Sequence, residues 1–533
     1  MRRHVGSAIF GRPAGVLRRL PRRFTVREDG SITIFATVVF VLMVGIGGIA
    51  IDVMRFETQR VQLQYTLDRA VLAAASLSQT LDPEEVVQAY FETAGLEGYR
   101  LRVEVEEGVN FRRVEAQAEL DLQTLFMSIF GQPILTSPAA GAAEERVRNI
   151  EVSLVLDISG SMLSANRLEN LRPAAREFVT SVLAANDNPN NEQLVSVSIV
   201  PYDHAVNMGT TLSSVFALTN EHSYSRCARF YEADFAVSGI NPTVPLQRLG
   251  HFDYQSGQNG NFACRTDNRG AVAPWSNNES QLHALINGLS TEGNRFTAID
   301  QGMRWAVALL DPAARPALSA LVANGTVHED FTGRPASYLD PETIKIVVLM
   351  TDGENTRQWD VHNQYRSGPS PFWRDPDNGD LSIYRASTNR YWQVDNDVWR
   401  TTPDGGSNDN AVRIDYADLW NYIPTGAMYN LLRYEPDSYI QGLRYSYEFS
   451  DIVNEHTPNN GLVADTRLRT MCDVAHAQGI VVFSIAFEAP SGGQSVMRYC
   501  ASSDAHFYDV DGIDISNAFA SIARTINQLR LIQ

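Results

Sequence analysis

The feature that most constrains this chain is an uncharged run of 21 residues, SITIFATVVFVLMVGIGGIAI, at residues 31–51. As a helix rising ~1.5 Å per residue, the run matches the ~30 Å hydrocarbon core of a bilayer. Eight arginines precede it within residues 1–30, and Asp52 follows it. The positive-inside rule then places the basic segment 1–30 in the cytoplasm. We expect a single transmembrane helix over residues 31–52, with the remainder of the chain outside the cytoplasm.

A cleaved signal peptide is the alternative explanation of this run. It would need a shorter apolar core and a small-residue cleavage site near residue 25, whereas here the apolar run begins only at residue 31. An anchor is therefore the preferred interpretation.

Length and charge limit the function classes. With 533 residues, two or three domains are expected, and 44% hydrophobic with 20% charged residues is the composition of a folded protein. The net charge of −18 argues against a general nucleic-acid binder, which needs a basic face.

Residues 53–140 form the next expected region, a helical stalk with a small α+β module. The stretch 55–79 lacks proline and glycine and extends the membrane helix outward. Asp82 and Pro83 mark a helix start. Two stretches then alternate apolar and polar residues, YRLRVEVEEG and RRVEAQAELDLQ, as half-buried strands do. The segment TLFMSIFG predicts a short helix, and the region AAGAAEERVRN is expected to lead into the next domain.

From about residue 148 to 533 the sequence alternates strand and helix. The predicted strands are residues 150–157, 194–202, 344–352, 480–487 and 506–510, and the predicted helices are 168–185, 297–310, 466–478 and 514–530. Several strands are continuous apolar runs, which is typical of parallel strands covered on both faces. The fold class predicted is α/β, a doubly wound and mostly parallel sheet whose ligand sites lie beyond the carboxyl ends of its strands.

Two long insertions interrupt this alternation, at about residues 203–290 and 355–465. The second holds five of the seven tryptophans in the chain. So many aromatic residues predict packed excursions. Whether they form a core, a lid or a binding face is left open, with a core favoured.

Oxygen-bearing side chains cluster where predicted strands end. Asp157 ends the strand of LVLDISGSM and is followed by Ser159 and Ser161, while Asp352 ends the strand of VVLMTDGEN and Thr297 precedes a helix. Carboxylate and hydroxyl oxygens are hard ligands, suited to Mg²⁺, Mn²⁺ or Ca²⁺. In the alternative, purely structural interpretation, the serines cap the following helix and Asp157 belongs to an ordinary turn.

In this order and context, the five residues resemble the metal-ion-dependent adhesion site of von Willebrand factor type A domains. Thr291 is a nearby competitor of Thr297 for the threonine position. The resemblance implies capture of a partner protein through a carboxylate that fills an open position on the metal. It implies no small-molecule substrate.

The N-terminal half and the C-terminal segment carry a second resemblance. The anchor after REDGS, the run LQYTLDRAVLAAAS and the closing segment from MCDVAHAQG onward resemble TadG-like proteins of the bacterial Flp/Tad pilus assembly system. This implies a Gram-negative inner-membrane protein with a periplasmic main domain and a pilus or secretion-system component as partner. Related pilin-like proteins are cut after a glycine and carry glutamate five residues on. Here Phe35 stands at that spacing from Gly30, so a permanent anchor is expected.

Four cysteines permit three disulfide connectivities. The local pairs, Cys227 with Cys264 and Cys472 with Cys500, are preferred, and a domain outside the cytoplasm can keep them. Redox catalysis is not expected, because no Cys-x-x-Cys spacing occurs.

Three functions remain in order of preference. The first is a membrane-anchored binding and scaffold protein without enzymatic activity. The second is a pilin-like structural subunit or surface adhesin, distinguished by cleavage of the anchor. The third is a metal-dependent hydrolase, whose candidate bases His204, His476 and His506 lie in no catalytic motif.

Overall fold

The computed structural model describes residues 31–532 except for ten short gaps. These are residues 77–78, 80, 108–110, 187–194, 254–261, 292–294, 406–409, 433–436, 448 and 456–460. The chain forms two compact units, with the division between Arg146 and Val147. The predicted cytoplasmic segment 1–30 lies outside the described residues.

The first unit begins with one long helix, α1 (Ser31–Ala74, 44 residues), which joins the apolar run to the predicted stalk. Its apolar part is almost entirely exposed. Within the described part of the chain, α1 is the one helix long and apolar enough by itself to cross a membrane.

A small module follows α1 in the same unit. Helix α2 (Pro83–Thr93) starts as predicted, with the Asp82 carboxylate accepting the backbone N–H of Glu84 at 2.9 Å and of Glu85 at 3.3 Å. Strands β1 (Arg100–Glu107) and β2 (Phe111–Gln123) form an antiparallel pair, as the alternation predicted.

A third strand, β3 (Ile134–Val147), pairs antiparallel with β2 in the region that leads into the next domain. This strand was not predicted, because it is rich in alanine and glycine and shows no alternation of large apolar residues. The small residues have a packing role. A Cβ on Gly141 would lie 3.2 Å from Oδ1 of Asp68 and 3.6 Å from Cγ2 of Val71, so β3 packs closely against α1.

The second unit is the α/β domain that the sequence predicted. Its strands are β4 (Asn149–Asp157), β5 (Val195–Tyr202), β6 (Ala273–Ser276), β7 (Thr343–Thr351), β8 (Trp359–Val361), β9 (Pro369–Arg374), β10 (Leu381–Arg385), β11 (Arg390–Gln393), β12 (Val398–Arg400), β13 (Val412–Asp415), β14 (Val453–Glu455), β15 (Val481–Phe487), β16 (Phe507–Val510) and β17 (Leu531–Ile532). The central sheet has the order β16-β15-β7-β4-β5-β6, in which every neighbouring pair is parallel except β5 with β6.

The same unit also contains α-helices, some beside the central sheet and some within the insertions. They are α3 (Arg167–Leu183), α4 (Gly209–Ser213), α5 (Glu279–Gly288), α6 (Ile299–Leu310), α7 (Arg315–Ala323), α8 (Tyr416–Tyr422), α9 (Thr425–Leu431), α10 (Ser438–Tyr445), α11 (Phe449–Ile452), α12 (Leu462–Ala477), α13 (Ser491–Cys500) and α14 (Asp514–Arg530). Helix α3 packs against α14, and α6 packs against α12. All twelve residues of α6 are buried, since it is enclosed in the main core.

The two insertions fold differently from each other. The first includes β6, which is hydrogen-bonded to β5 and therefore belongs to the central sheet. The second forms a five-stranded antiparallel sheet of order β12-β11-β10-β9-β13 and a separate pair, β14 with β8. Its aromatic residues pack in a core that also includes residues of the first insertion, such as Phe252, and Trp392 and Trp420 are buried there. Packing, the favoured interpretation, is observed for these two tryptophans, and Trp359 and Trp399 are partly buried against the same core.

Both predicted disulfides are present. Cys227 is bonded to Cys264, with Cα atoms 5.8 Å apart, and Cys472 is bonded to Cys500, with Cα atoms 5.1 Å apart. Cys500 is the last residue of helix α13. The second bridge therefore joins α12 to α13, the two helices that flank β15 in the sequence.

Candidate metal centre

The ends of two adjacent parallel strands bring the candidate residues together. Strands β4 and β7 are neighbours in the sheet, so Asp157 at the end of β4 and Asp352 just after β7 lie at the same edge. The loop after β4 continues into a 3₁₀-helical segment, Gly160–Asn166, which carries Ser161 and is interrupted at Ser164 and Ala165. Asp157, Ser159 and Asp352 are buried, and Ser161 is partly exposed.

Hydrogen bonds link the two carboxylates through the two serines. The Ser159 backbone N–H donates to Oδ1 of Asp157 at 2.7 Å. The hydroxyl oxygens of Ser159 and Ser161 are 3.1 Å apart, and the Ser161 hydroxyl donates to Oδ1 of Asp352 at 2.6 Å. Four of the five predicted ligands therefore form one connected cluster of oxygens.

Thr297 lies next to this cluster. A Cβ built on Gly353 would be 3.6 Å from Oγ1 of Thr297 and 3.7 Å from Oγ of Ser161, so both hydroxyls border Gly353. The loop after Asp352 holds Thr297 in place, because the backbone N–H of Thr297 donates to Oγ1 of Thr356, in that loop, at 2.9 Å. The competitor Thr291 donates its hydroxyl to the Ser159 carbonyl at 2.7 Å.

The helix-cap alternative does not describe these serines. Ser159 stands at the N-cap of the 3₁₀ helix, but its side chain makes no capping hydrogen bond. Helix α3 begins at Arg167 with Asn166 at its N-cap. The serine hydroxyls are directed to each other and to Asp352 instead.

Two further residues that hold Asp157 were missed by sequence reasoning. The Thr351 hydroxyl donates to Oδ2 of Asp157 at 2.7 Å, and the Tyr202 hydroxyl lies 3.2 Å from the same oxygen. Both residues end strands adjacent to β4. Each of three neighbouring strands ends in a polar residue, and this pattern could have predicted the contacts. It can be recognised only when the order of the strands in the sheet is known.

The electrostatics of the cluster are unfavourable for two free carboxylates. Burial, and then the charge of Asp352, raises the pKa of Asp157 to about 7. Burial also raises the pKa of Asp352, although hydrogen bonds from Ser161 and Arg167 oppose that increase. A divalent cation between the two carboxylates would offset both costs.

Arg167 and Glu488 extend the cluster and were also missed. Nη1 of Arg167 donates to Oδ2 of Asp352 at 2.8 Å, and its Nε donates to Oε2 of Glu488 at 2.9 Å. Arg167 is the first residue of α3, and Glu488 directly follows β15. Since one oxygen of Asp352 faces this guanidinium, its other oxygen and Asp157 are the negative groups nearest the hydroxyls.

The chemistry of the donors fits a hard divalent cation. The cluster offers two carboxylates and three hydroxyls, the oxygen ligands that Mg²⁺, Mn²⁺ and Ca²⁺ accept. Among the described residues, no group of three or more histidine, cysteine, aspartate and glutamate side chains could hold a metal. The candidate site combines its two carboxylates with serine and threonine hydroxyls.

The histidines considered as catalytic bases have other partners. Nε2 of His204 lies 3.1 Å from the Trp359 carbonyl, and Nε2 of His476 lies 3.0 Å from the Cys500 carbonyl. Nδ1 of His506 lies 2.6 Å from the Ser503 hydroxyl. None of these three contacts involves a residue of the oxygen cluster.

Comparison with known families supports the resemblance seen in the N-terminal half. Residues 30–77 match the Tad family, described as "Putative Flp pilus-assembly TadE/G-like". The predicted resemblance to TadG-like proteins is confirmed over that segment. No curated protein matches the chain.

Several solved structures are similar to the chain at low identity. They include the vWF domain of the type V pili tip protein Mfa5 from Porphyromonas gingivalis, at 14% identity and a TM-score of 0.33, covering 73% of this chain and 98% of that one. The pilus adhesin SpaC from Lactobacillus rhamnosus GG matches at 14% and 0.31, covering 81% and 34%. Proximal thread matrix protein 1 from the mussel byssus, with a zinc occupied MIDAS motif, matches at 9% and 0.26, covering 85% and 55%.

Proposed function

We propose that this chain, whose residues 30–77 match the Tad family of Flp pilus-assembly proteins, is a membrane-anchored protein that captures a protein partner through a divalent metal. The observation that carries this proposal is the connected oxygen cluster of Asp157, Ser159, Ser161 and Asp352 at adjacent strand ends. Thr297, which borders Gly353, completes the ligand set.

The residues divide the work of such a site. Asp157 supplies the negative ligand, and the hydroxyls of Ser159, Ser161 and Thr297 supply neutral oxygens. Ser161 and Arg167 hold Asp352 beside them, in a position to act through water. When bound, Mg²⁺ or a similar ion supplies a coordination position for a carboxylate of the partner. Because three of the protein ligands are neutral, the ion keeps positive charge to attract that carboxylate.

Binding explains the cluster better than catalysis does. A hydrolytic site needs a base and an attacking group within hydrogen-bond reach. The cluster instead has buried carboxylates held by Thr351, Tyr202 and Arg167. We therefore propose a non-enzymatic role.

The alternative function, a pilin-like subunit, differs from a permanently anchored protein in that its chain would be cleaved after Gly30. That position lies outside the described residues.

The partner is expected to be a pilus or secretion-system component with an exposed aspartate or glutamate. In-cell crosslinking tests this with three chains: wild type, Asp157→Asn and Asp300→Asn. Asp300 is an equally buried carboxylate in α6 and serves as the matched control. We expect one crosslinked species to disappear in Asp157→Asn and to persist in Asp300→Asn. Identical crosslinks in all three would contradict the proposed capture.

For localisation, we propose an inner-membrane protein with a cytoplasmic N-terminus and a periplasmic main domain. Helix α1 supplies the single crossing, and the arginines before it set the direction. A phosphatase reporter active only in the periplasm should be active when fused after Gln533 and inactive when fused at residue 25. The reverse pattern would overturn the orientation and, with it, the expectation of an oxidising compartment for both disulfides.

A further inference from the structure

The loop between β2 and β3 exposes an unusual amount of apolar surface. We call residues 125–130 the apolar turn; its Met127–Phe130 part is a single 3₁₀ helix. Leu125 is 59% exposed, Ile129 78% and Phe130 65%. Three large apolar side chains exposed within six residues mark a contact surface rather than a solvated loop.

The apolar turn lies against the apolar half of α1, in the same compact unit. A Cβ on Gly48 would lie only 2.5 Å from Cγ of the Phe126 ring, and a Cβ on Gly45 would lie 3.4 Å from Cζ of Phe130. The glycines of the run GIGG thus allow the turn to approach the helix backbone. The surrounding surface of α1 is itself apolar and exposed, for example at Ile46, 68% exposed, and Ile49, 36% exposed.

Asp52 fixes the position of the turn along α1. Its carboxylate is buried and accepts the backbone N–H groups of Leu125 at 2.9 Å, Phe126 at 2.7 Å and Met127 at 2.8 Å. Arg55 lies 3.6 Å from the same carboxylate. An acidic residue at the edge of an apolar run is costly unless it is paired and hydrogen-bonded, and these contacts meet that condition.

The level of the turn follows from helix geometry. If residues 31–51 fill the ~30 Å hydrocarbon core, Gly45 lies ~9 Å inside its outer edge, because each residue rises ~1.5 Å. Phe130 contacts α1 at Gly45. The turn therefore extends from the membrane surface at Asp52 into the outer leaflet.

We propose that the apolar turn is a membrane-inserted wedge, with Leu125, Ile129 and Phe130 in contact with lipid of the periplasmic leaflet. This inference rests on the proposed membrane anchor, since the lipid-facing surface of α1 and the turn are continuous. The wedge would hold the small module on the membrane surface in one orientation, in addition to the helix that tethers it.

Depth-dependent quenching tests the wedge in the full chain. The four native cysteines are paired in disulfides, so a single added cysteine can be labelled with an environment-sensitive fluorophore. Three variants are compared in nanodiscs of phosphatidylethanolamine and phosphatidylglycerol: Ile129→Cys, Phe40→Cys in α1 and Arg102→Cys in β1. Doxyl-labelled lipids should quench the labels at residues 129 and 40 severalfold more than the label at residue 102.

Labels at these three positions distinguish failure of the membrane anchor from failure of the proposed wedge. If residue 40 is quenched and residue 129 is not, the anchor stands and the wedge is overturned. If neither is quenched, the membrane anchor itself fails. If residue 129 is protected from lipid but forms disulfide-linked dimers on mild oxidation, the surface binds a second copy of the chain and the wedge is overturned.

Neighbouring glycines provide a matched pair of substitutions. A side chain at Gly48 meets the Phe126 ring, whereas a Cβ at Gly47 has no neighbour within 4 Å. In the Ile129→Cys background, Gly48→Val should displace the turn and reduce quenching at residue 129 at least twofold. Gly47→Val should leave it unchanged. Equal quenching in both variants would show that α1 does not hold the turn in the leaflet.

Discussion

Magnesium is expected to raise the melting temperature of the wild-type chain and to have no effect on that of Asp157→Asn. A ligand that binds only the folded state stabilises it by about 2.7 kcal/mol at a hundredfold excess over its Kd. The substitution keeps the shape of the side chain but removes the charge of the one carboxylate in the cluster that is not paired with an arginine. The neutral hydroxyls of Ser159, Ser161 and Thr297 cannot replace that charge for a hard ion.

Asparagine is preferred to alanine for structural reasons. The Asp157 carboxylate is fully buried and accepts hydrogen bonds from the Ser159 backbone N–H and the Thr351 hydroxyl. Alanine would leave those donors without an acceptor, at a cost of about 1–3 kcal/mol for each buried group. Asparagine retains one acceptor oxygen.

The controls separate metal binding from damage to the fold. Thr297→Ala should weaken the magnesium response less than Asp157→Asn does, since water can replace one neutral ligand. Asp300→Asn should keep the full magnesium response, because the Asp300 carboxylate accepts a hydrogen bond from Gln358 and not from a residue of the cluster. Thermal melts of the full chain in nanodiscs, with and without a chelator, give the readout. A magnesium response that survives in Asp157→Asn would place the metal elsewhere.

The five strands predicted for the α/β unit are observed to within one residue at each end, whereas helices such as α13 were not predicted. The strand predicted at 150–157 is observed at Asn149–Asp157, and the one predicted at 480–487 at Val481–Phe487. A continuous apolar run that ends in a polar residue predicts where such a strand ends, because a strand buried on both faces is apolar along its whole length. The five candidate ligands could be identified for the same reason, since each lies beside a recognisable element end.

Other features of the site and the fold could be recognised only from the three-dimensional structure. Tyr202 and Arg167 surround the cluster only because β5 lies next to β4 and α3 begins beside Asp352, and one sequence does not reveal strand order. Strand β3 was missed because packing against α1 selected alanine and glycine over the alternating pattern of exposed strands. Tertiary contacts overrode local propensity there.

The second large effect is expected from the disulfide between Cys472 and Cys500. The chain-entropy expression gives about 3.6 kcal/mol for a bridge with a sequence separation of 28, and the double variant Cys472→Ala/Cys500→Ala should lose about this much. Both cysteines are fully buried in the main core, where they join α12 to α13. Urea unfolding of the full chain, followed by tryptophan fluorescence, measures the loss.

The other disulfide is the matched control for that loss. Cys227 and Cys264 have a separation of 37, so the same expression gives about 3.8 kcal/mol, but they lie in the separate core of the insertions. Helix α13 also lies against the candidate metal centre, because its Gly493 lies too close to the Gly353 carbonyl for any Cβ. Removing the Cys472–Cys500 bridge frees the far end of α13. The magnesium response should therefore weaken in Cys472→Ala/Cys500→Ala and persist in Cys227→Ala/Cys264→Ala. Equal magnesium responses in the two double variants would show that α13 does not support the site.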